Sequence, residues 1–94
     1  MVEQTYRKIL ARSLAGHDRG TVFCVVGETE DAFLLADGKG RTLAEPKKKN
    51  RRHVQPIRAL PGEVRLALDA AERDSDLVHV LRLYAKAGES LEGR

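Results

Sequence analysis

Tryptophan is absent, and two Phe and two Tyr bring the aromatic content to only 4% of 94 residues. Broad stacking platforms for unpaired bases are therefore nearly excluded. Cysteine occurs once, as Cys24, so no internal disulfide can form. Together with the lack of a signal-like start, this points to a reducing cytosol. Within the run Val22-Phe23-Cys24-Val25-Val26 the thiol reads as a small core filler rather than a reactive group. No apolar run approaches the roughly 20 residues of a membrane helix. A soluble, cytoplasmic chain without a membrane partner is expected.

Chemistry of the catalytic kind is also sparse. The three histidines, His17, His53 and His79, lie far apart, and no Cys/His pair has metal-ligand spacing. His79 reads as a surface or satisfied histidine on a helix. His17 and Asp18 could orient one another, but no serine or cysteine nucleophile is evidently placed beside them. The sequence Asp-Gly-Lys-Gly at 37–40 lacks the length and the Lys-Ser/Thr ending of a nucleotide-binding loop. A chain this short has little material for an enclosed active site. Neither catalytic residues, nor a metal, nor a cofactor are expected, and the protein is not read as an enzyme.

What the chain does have is unevenly placed positive charge. The formal net charge is only +3, yet residues 1–58 hold 12 Lys+Arg against 7 Asp+Glu, while residues 59–94 hold 5 against 7. The stretch 39–58 is the extreme, with 8 basic residues opposed by Glu45 alone. Such concentration of positive potential suits a polyanionic partner. Its densest part is Lys47-Lys48-Lys49-Asn50-Arg51-Arg52-His53. Read alone, this run could be a solvated loop; phosphates that neutralise it would release condensed counterions.

Periodicity divides the chain at about residue 58. Residues 8–14 read as a first strand, with Ile9, Leu10 and Leu14 inward and Arg7, Lys8 and Arg12 on the wet side; residues 1–6 form a lead-in. Residues 21–27 are almost continuously apolar, as in a central strand covered on both faces. Between the two strands lies a short polar turn with Gly16 and Gly20 at its ends, which makes a hairpin. His17, Asp18 and Arg19 are expected to project from its tip with nothing packed over them. Residues 28–31 are acidic and turn-like. Residues 32–36 give a third strand, ended by the turn at 37–40. Residues 41–43 read as a short fourth strand, which Pro46 ends because it cannot donate to a ladder. Val54 and Ile57 belong to a last strand that closes a five-stranded barrel and hides its edges.

Beyond residue 58 the period becomes helical. Pro61 suits a first helical turn, and Val64, Ala67, Leu68 and Ala71 form one stripe. Asp74, Ser75 and Asp76 supply a break and an N-cap with carboxylates at the positive helix end. Leu77, Val80, Leu81 and Tyr84 form a second stripe, with Lys86 and Gly88 at its end and residues 89–94 frayed. The two stripes can bury against each other and an open side of the barrel, or part of them can meet another protein. The expected organisation is a barrel over 1–58 with a helical appendage over 59–94.

Two segments carry a family resemblance. The order of an apolar strand, a small residue with Gly16, polar residues, Arg19-Gly20 and the apolar strand 21–26 resembles the KOW motif. P-K-K-K-N-R-R-H-V-Q-P at 46–56 is similar to the basic segment that closes the barrel in such proteins. The match is strongest to small bacterial KOW-domain RNA-binding proteins that resemble large-subunit ribosomal proteins. His17 stands where Arg or Lys is expected. The resemblance implies a mainly β fold, a small SH3-like five-stranded barrel of KOW type, here with two short C-terminal α-helices.

It also implies a non-catalytic, ribosome-associated protein that binds structured ribosomal RNA. The residues expected at the RNA are Arg12, Gly16, His17, Arg19, Gly20, Arg41, Lys47, Lys48, Lys49, Arg51, Arg52 and His53. Duplex RNA offers phosphates and 2′-hydroxyls along a shallow groove, so few base-reading side chains are needed. Ribosomal proteins are expected partners through the C-terminal helices. The alternative is a protein-interaction module of the transcription or translation machinery, using those helices and the acidic residues Glu28, Glu30 and Asp31.

Overall fold

A three-residue connection between two edge strands dictates the shape of this protein. The computed structural model describes residues 8–92, with side chains described for 8–88. Its strands are β1 (Ile9–Ser13), β2 (Val22–Glu28), β3 (Ala32–Ala36), β4 (Lys47–Asn50) and β5 (Val54–Ile57). They form one antiparallel sheet in the order β4-β3-β2-β1-β5. In a flat sheet the outer two strands would stand about 19 Å apart. Yet only the 3-10 turn Arg51–His53 joins β4 to β5, and the four Cα–Cα steps from Asn50 to Val54 span at most about 14 Å. The sheet must curl. A register shift between Val25 and Gly27 marks a bulge in β2, where a strand bends most readily.

Curling gives the sheet a concave and an outer face, and each has its own core. Ile9, Ala11, Phe23, Val25, Phe33, Leu35 and Val54 form the concave cluster. On the outer face Leu10, Cys24 and Ala36 are buried beneath α1 (Gly62–Ala70) and α2 (Asp74–Glu92). The helices contribute Val64, Leu68, Ala71, Leu77 and Val80 to that cluster. Their predicted stripes are thus the faces that cover the sheet. Lys8 Nζ donates to Ala71 O at 2.6 Å, tying the start of β1 to the turn between the helices. Asp76 Oδ2 accepts the amides of Glu72 and Arg73 at 2.9 and 3.0 Å, which holds its carboxyl below the usual range.

Several expectations need correction. Residues 41–43 form no strand, and β4 begins directly after Pro46. The backbone at 41–45 is committed elsewhere: Arg41 O accepts the amides of Asp37 and Gly38, and Leu43 N donates to Asp74 Oδ1. Pro46 lies outside the ladder, so its missing donor does not prevent a strand from starting at Lys47. Leu14 is 44% exposed instead of inward, because β1 ends at Ser13. Ala11 and Ser13 are buried in its place. Pro56 lies within the edge strand β5, opposite Ala11. Gly88 does not end α2, which continues to Glu92. The lead-in at 1–6, the wet-side assignment of Arg7 and the side chains of the expected frayed end lie outside the described residues.

Candidate nucleic-acid interface

The β1–β2 connection is a tight loop because glycine stands where the chain must turn left-handed. Gly16 and Gly20 have φ of 86° and 89°, values that L side chains adopt at a cost. Gly20 N donates to Ser13 O at 2.8 Å and Thr21 N to Asp18 O at 2.9 Å. His17 and Arg19 are exposed at the tip, as expected. Asp18 is not.

Its carboxylate turns back toward the concave face. Oδ1 accepts from Ser13 Oγ at 2.7 Å and from Lys49 Nζ at 3.1 Å, and Oδ2 accepts from Lys47 Nζ at 2.7 Å. Lys49 Nζ also donates to Ala15 O at 2.9 Å. The side chain of Asp18 is only 16% exposed. The Lys47 ammonium above all, with Ser13 and Lys49, holds its carboxyl well below the usual carboxylate range, against partial burial that would raise it. Sequence reasoning places Asp18 at an open tip and does not reach this network: Lys47 and Lys49 stand two apart, which puts both on one face only because 47–50 is a strand.

Strand β4 sorts its lysines by that period. Lys47 and Lys49 pair with Leu35 and Phe33, residues of the concave core, whereas Lys48 pairs with Leu34. Lys48 and Asn50 are exposed. Asn50 Oδ1 caps the following turn by accepting Arg52 N at 2.9 Å. Arg51 then folds inward. Its Nη2 lies 2.6 Å from Glu28 Oε1, it donates to the Thr29 and Glu30 carbonyls, and its guanidinium sits 4.4 Å from the centroid of Phe33. Arg52 and His53 remain exposed, and His53 O accepts Leu14 N at 2.8 Å.

The expected residues therefore fall into groups. The loop (Gly16, His17, Arg19, Gly20) and the segment Lys47 to His53 are in direct contact, through Lys47, Lys49 and the His53 carbonyl. Arg12 joins them, with Nη1 donating to Gly20 O at 3.0 Å. Arg41 does not. It is exposed in the β3–β4 connection, whose hydrogen bonds run to the 37–38 turn and the start of α2. A groove of about 320 Å³ between that connection, β2 and α2 is lined by Val22, Asp37, Lys39, Val78, Leu81 and Arg82. Among the described residues its lining contains no Ser, Cys or His. Cys24 is fully buried, and burial foremost, with the Asp37 charge adding, pushes its thiol up to about 12.

Among the described residues no group of His, Cys, Asp and Glu could hold a metal ion, and no helix is long and apolar enough to cross a membrane. Neither a scan against protein-family models nor a search of the curated proteins finds a match for the chain.

Proposed function

We propose that this protein is a non-catalytic RNA-binding module, ribosome-associated, that holds structured ribosomal RNA against the hairpin loop and the basic β4 segment. In this reading the curled sheet is an SH3-like barrel of the KOW type, and RNA lies across one edge of it. One observation carries the reading: the loop and the densest basic run, more than 25 residues apart in sequence, touch each other. Exposed His17, Arg19, Lys48, Arg52 and His53 therefore belong to neighbouring segments. Among the described residues, ion pairs claim only part of the cluster.

The mechanism is electrostatic and shape-based. Cations set along a short edge follow the phosphate backbone of a duplex, whose wide, shallow groove presents 2′-hydroxyls. With aromatics at 4% of the chain, stacking on splayed bases contributes little. Nothing in this arrangement requires a bond to be made or broken. A protein-docking role receives less support, since the helical stripes are already buried on the sheet and Glu28 is paired with Arg51.

Titration of a fluorescent ribosomal RNA hairpin tests the reading. Affinity is expected to fall by at least about tenfold between roughly 50 and 200 mM salt, as for a protein neutralising several phosphates. A flat salt response, or no binding at low salt, contradicts it.

A further inference from the structure

The basic run contains five cations, and the fold does not offer them equally. Lys47, Lys49 and Arg51 already face oxygen. Lys47 and Lys49 share the Asp18 carboxylate, and Lys49 adds the Ala15 carbonyl. Arg51 has Glu28 and two carbonyls. The side chain of Lys49 is only 13% exposed and that of Lys47 28%. For a phosphate to use these two ammonium groups, it would have to displace a carboxylate that is already well placed and partly buried. Lys48 and Arg52 differ in every respect. Both are exposed and make no ion pair among the described residues. Exposed Asn50 lies between them, and its side chain fixes the backbone at Arg52.

We propose that, of the five cations in this segment, Lys48 and Arg52 alone contact RNA, and that Asp18 is a positioning residue that withholds Lys47 and Lys49 from phosphate. This rests on the RNA-binding reading above and narrows it. The strand's alternation aims the lysines on either side of Lys48 into the fold, and the loop carboxylate keeps them there. Asp18 is thus an internal anion occupying the place that phosphate would otherwise take. The number of phosphates neutralised is set by the backbone period and one carboxylate, not by the count of basic residues.

The slope of log Kd against log salt reads that number, at close to one unit for each phosphate contact. Lys48→Ala with Arg52→Ala should flatten the slope by about 2 and weaken low-salt binding at least about tenfold, with no change in unfolding midpoint. Lys47→Ala or Lys49→Ala should lower the midpoint and leave the slope where it was. Asp18→Asn should steepen the slope by about 1 to 2 and tighten low-salt binding, while lowering the midpoint. Amine acylation of the wild-type chain gives a second readout that needs no variant: Lys48 should label fastest, and RNA should protect Lys48 but not Lys47 or Lys49. Slope changes in Lys47→Ala matching those in Lys48→Ala, or RNA protection of all three lysines, overturn the proposal while leaving the RNA reading intact. Wild-type protein that binds no RNA at low salt overturns both.

Discussion

Asp18 and the glycines show how single positions decide what this fold can do. Because the carboxyl of Asp18 is held below its unfolded value of 3.8, its contribution to stability is fully present above about pH 5 and is lost as pH falls further. Asp18→Ala should therefore cost about 1–3 kcal/mol in urea unfolding at pH 7. The gap from wild type should shrink as the solution is taken from about pH 5 toward pH 2. A gap that grows with acid would contradict the assignment. Gly38, with φ of 83°, is more constrained than Gly20, since a Cβ there would run into the Asp74 carbonyl at the start of α2. Gly38→Ala should lower stability by more than about 2 kcal/mol, whereas Gly20→Ala, with open space around it, should cost only about 1–2 kcal/mol for the left-handed backbone. Cys24 should resist thiol reagents in the native protein and react on unfolding, since it is buried and its thiol is pushed up to about 12. The glycines and the buried cysteine were legible in sequence from turn chemistry and apolar context. The inward turn of Asp18 was not, because it depends on lysines some thirty residues away.

At the scale of elements, the lysine run carries the main lesson. Three consecutive lysines followed by asparagine have poor strand propensity, and sequence alone places them in a loop. They form a strand because β3 offers a partner edge and because an edge strand is where charge is useful. Lysines and inward-pointing charges on an edge discourage pairing with a second sheet. The opposite edge, β5, carries Pro56 to the same effect. Apolar periodicity made β1, β2, β3 and both helices legible, whereas β4 has no apolar residue to reveal it. The helices also do more than decorate the sheet. Val64, Leu68, Leu77 and Val80 are at most 2% exposed, and burying each contributes about 1.5–3 kcal/mol. A chain ending at Leu60 would expose Leu10, Cys24 and Ala36, and should lose the cooperative unfolding transition of the full chain. Leu68→Ala should cost about 2–5 kcal/mol. A truncated chain that melts cooperatively near the wild-type temperature would show that the outer-face core is dispensable.

At the scale of the molecule, charge and topology act together. The excess of cations before residue 59 was plain from the sequence, and so was an antiparallel β architecture followed by two helices. Which cations face solvent was not plain, because that depends on strand register and on how far the sheet curls. The hairpin loop and the β4 segment meet at one edge of the sheet, and at that edge the fold leaves cations uncovered. In-cell crosslinking, followed by sequencing of the attached RNA and mapping of the crosslinked amino acids, tests this account most directly. The account predicts ribosomal RNA helices as the recovered sequence and crosslinks at the hairpin tip and the exposed side of β4. Recovery of no RNA, or of protein partners that persist through ribonuclease and high salt, would contradict it.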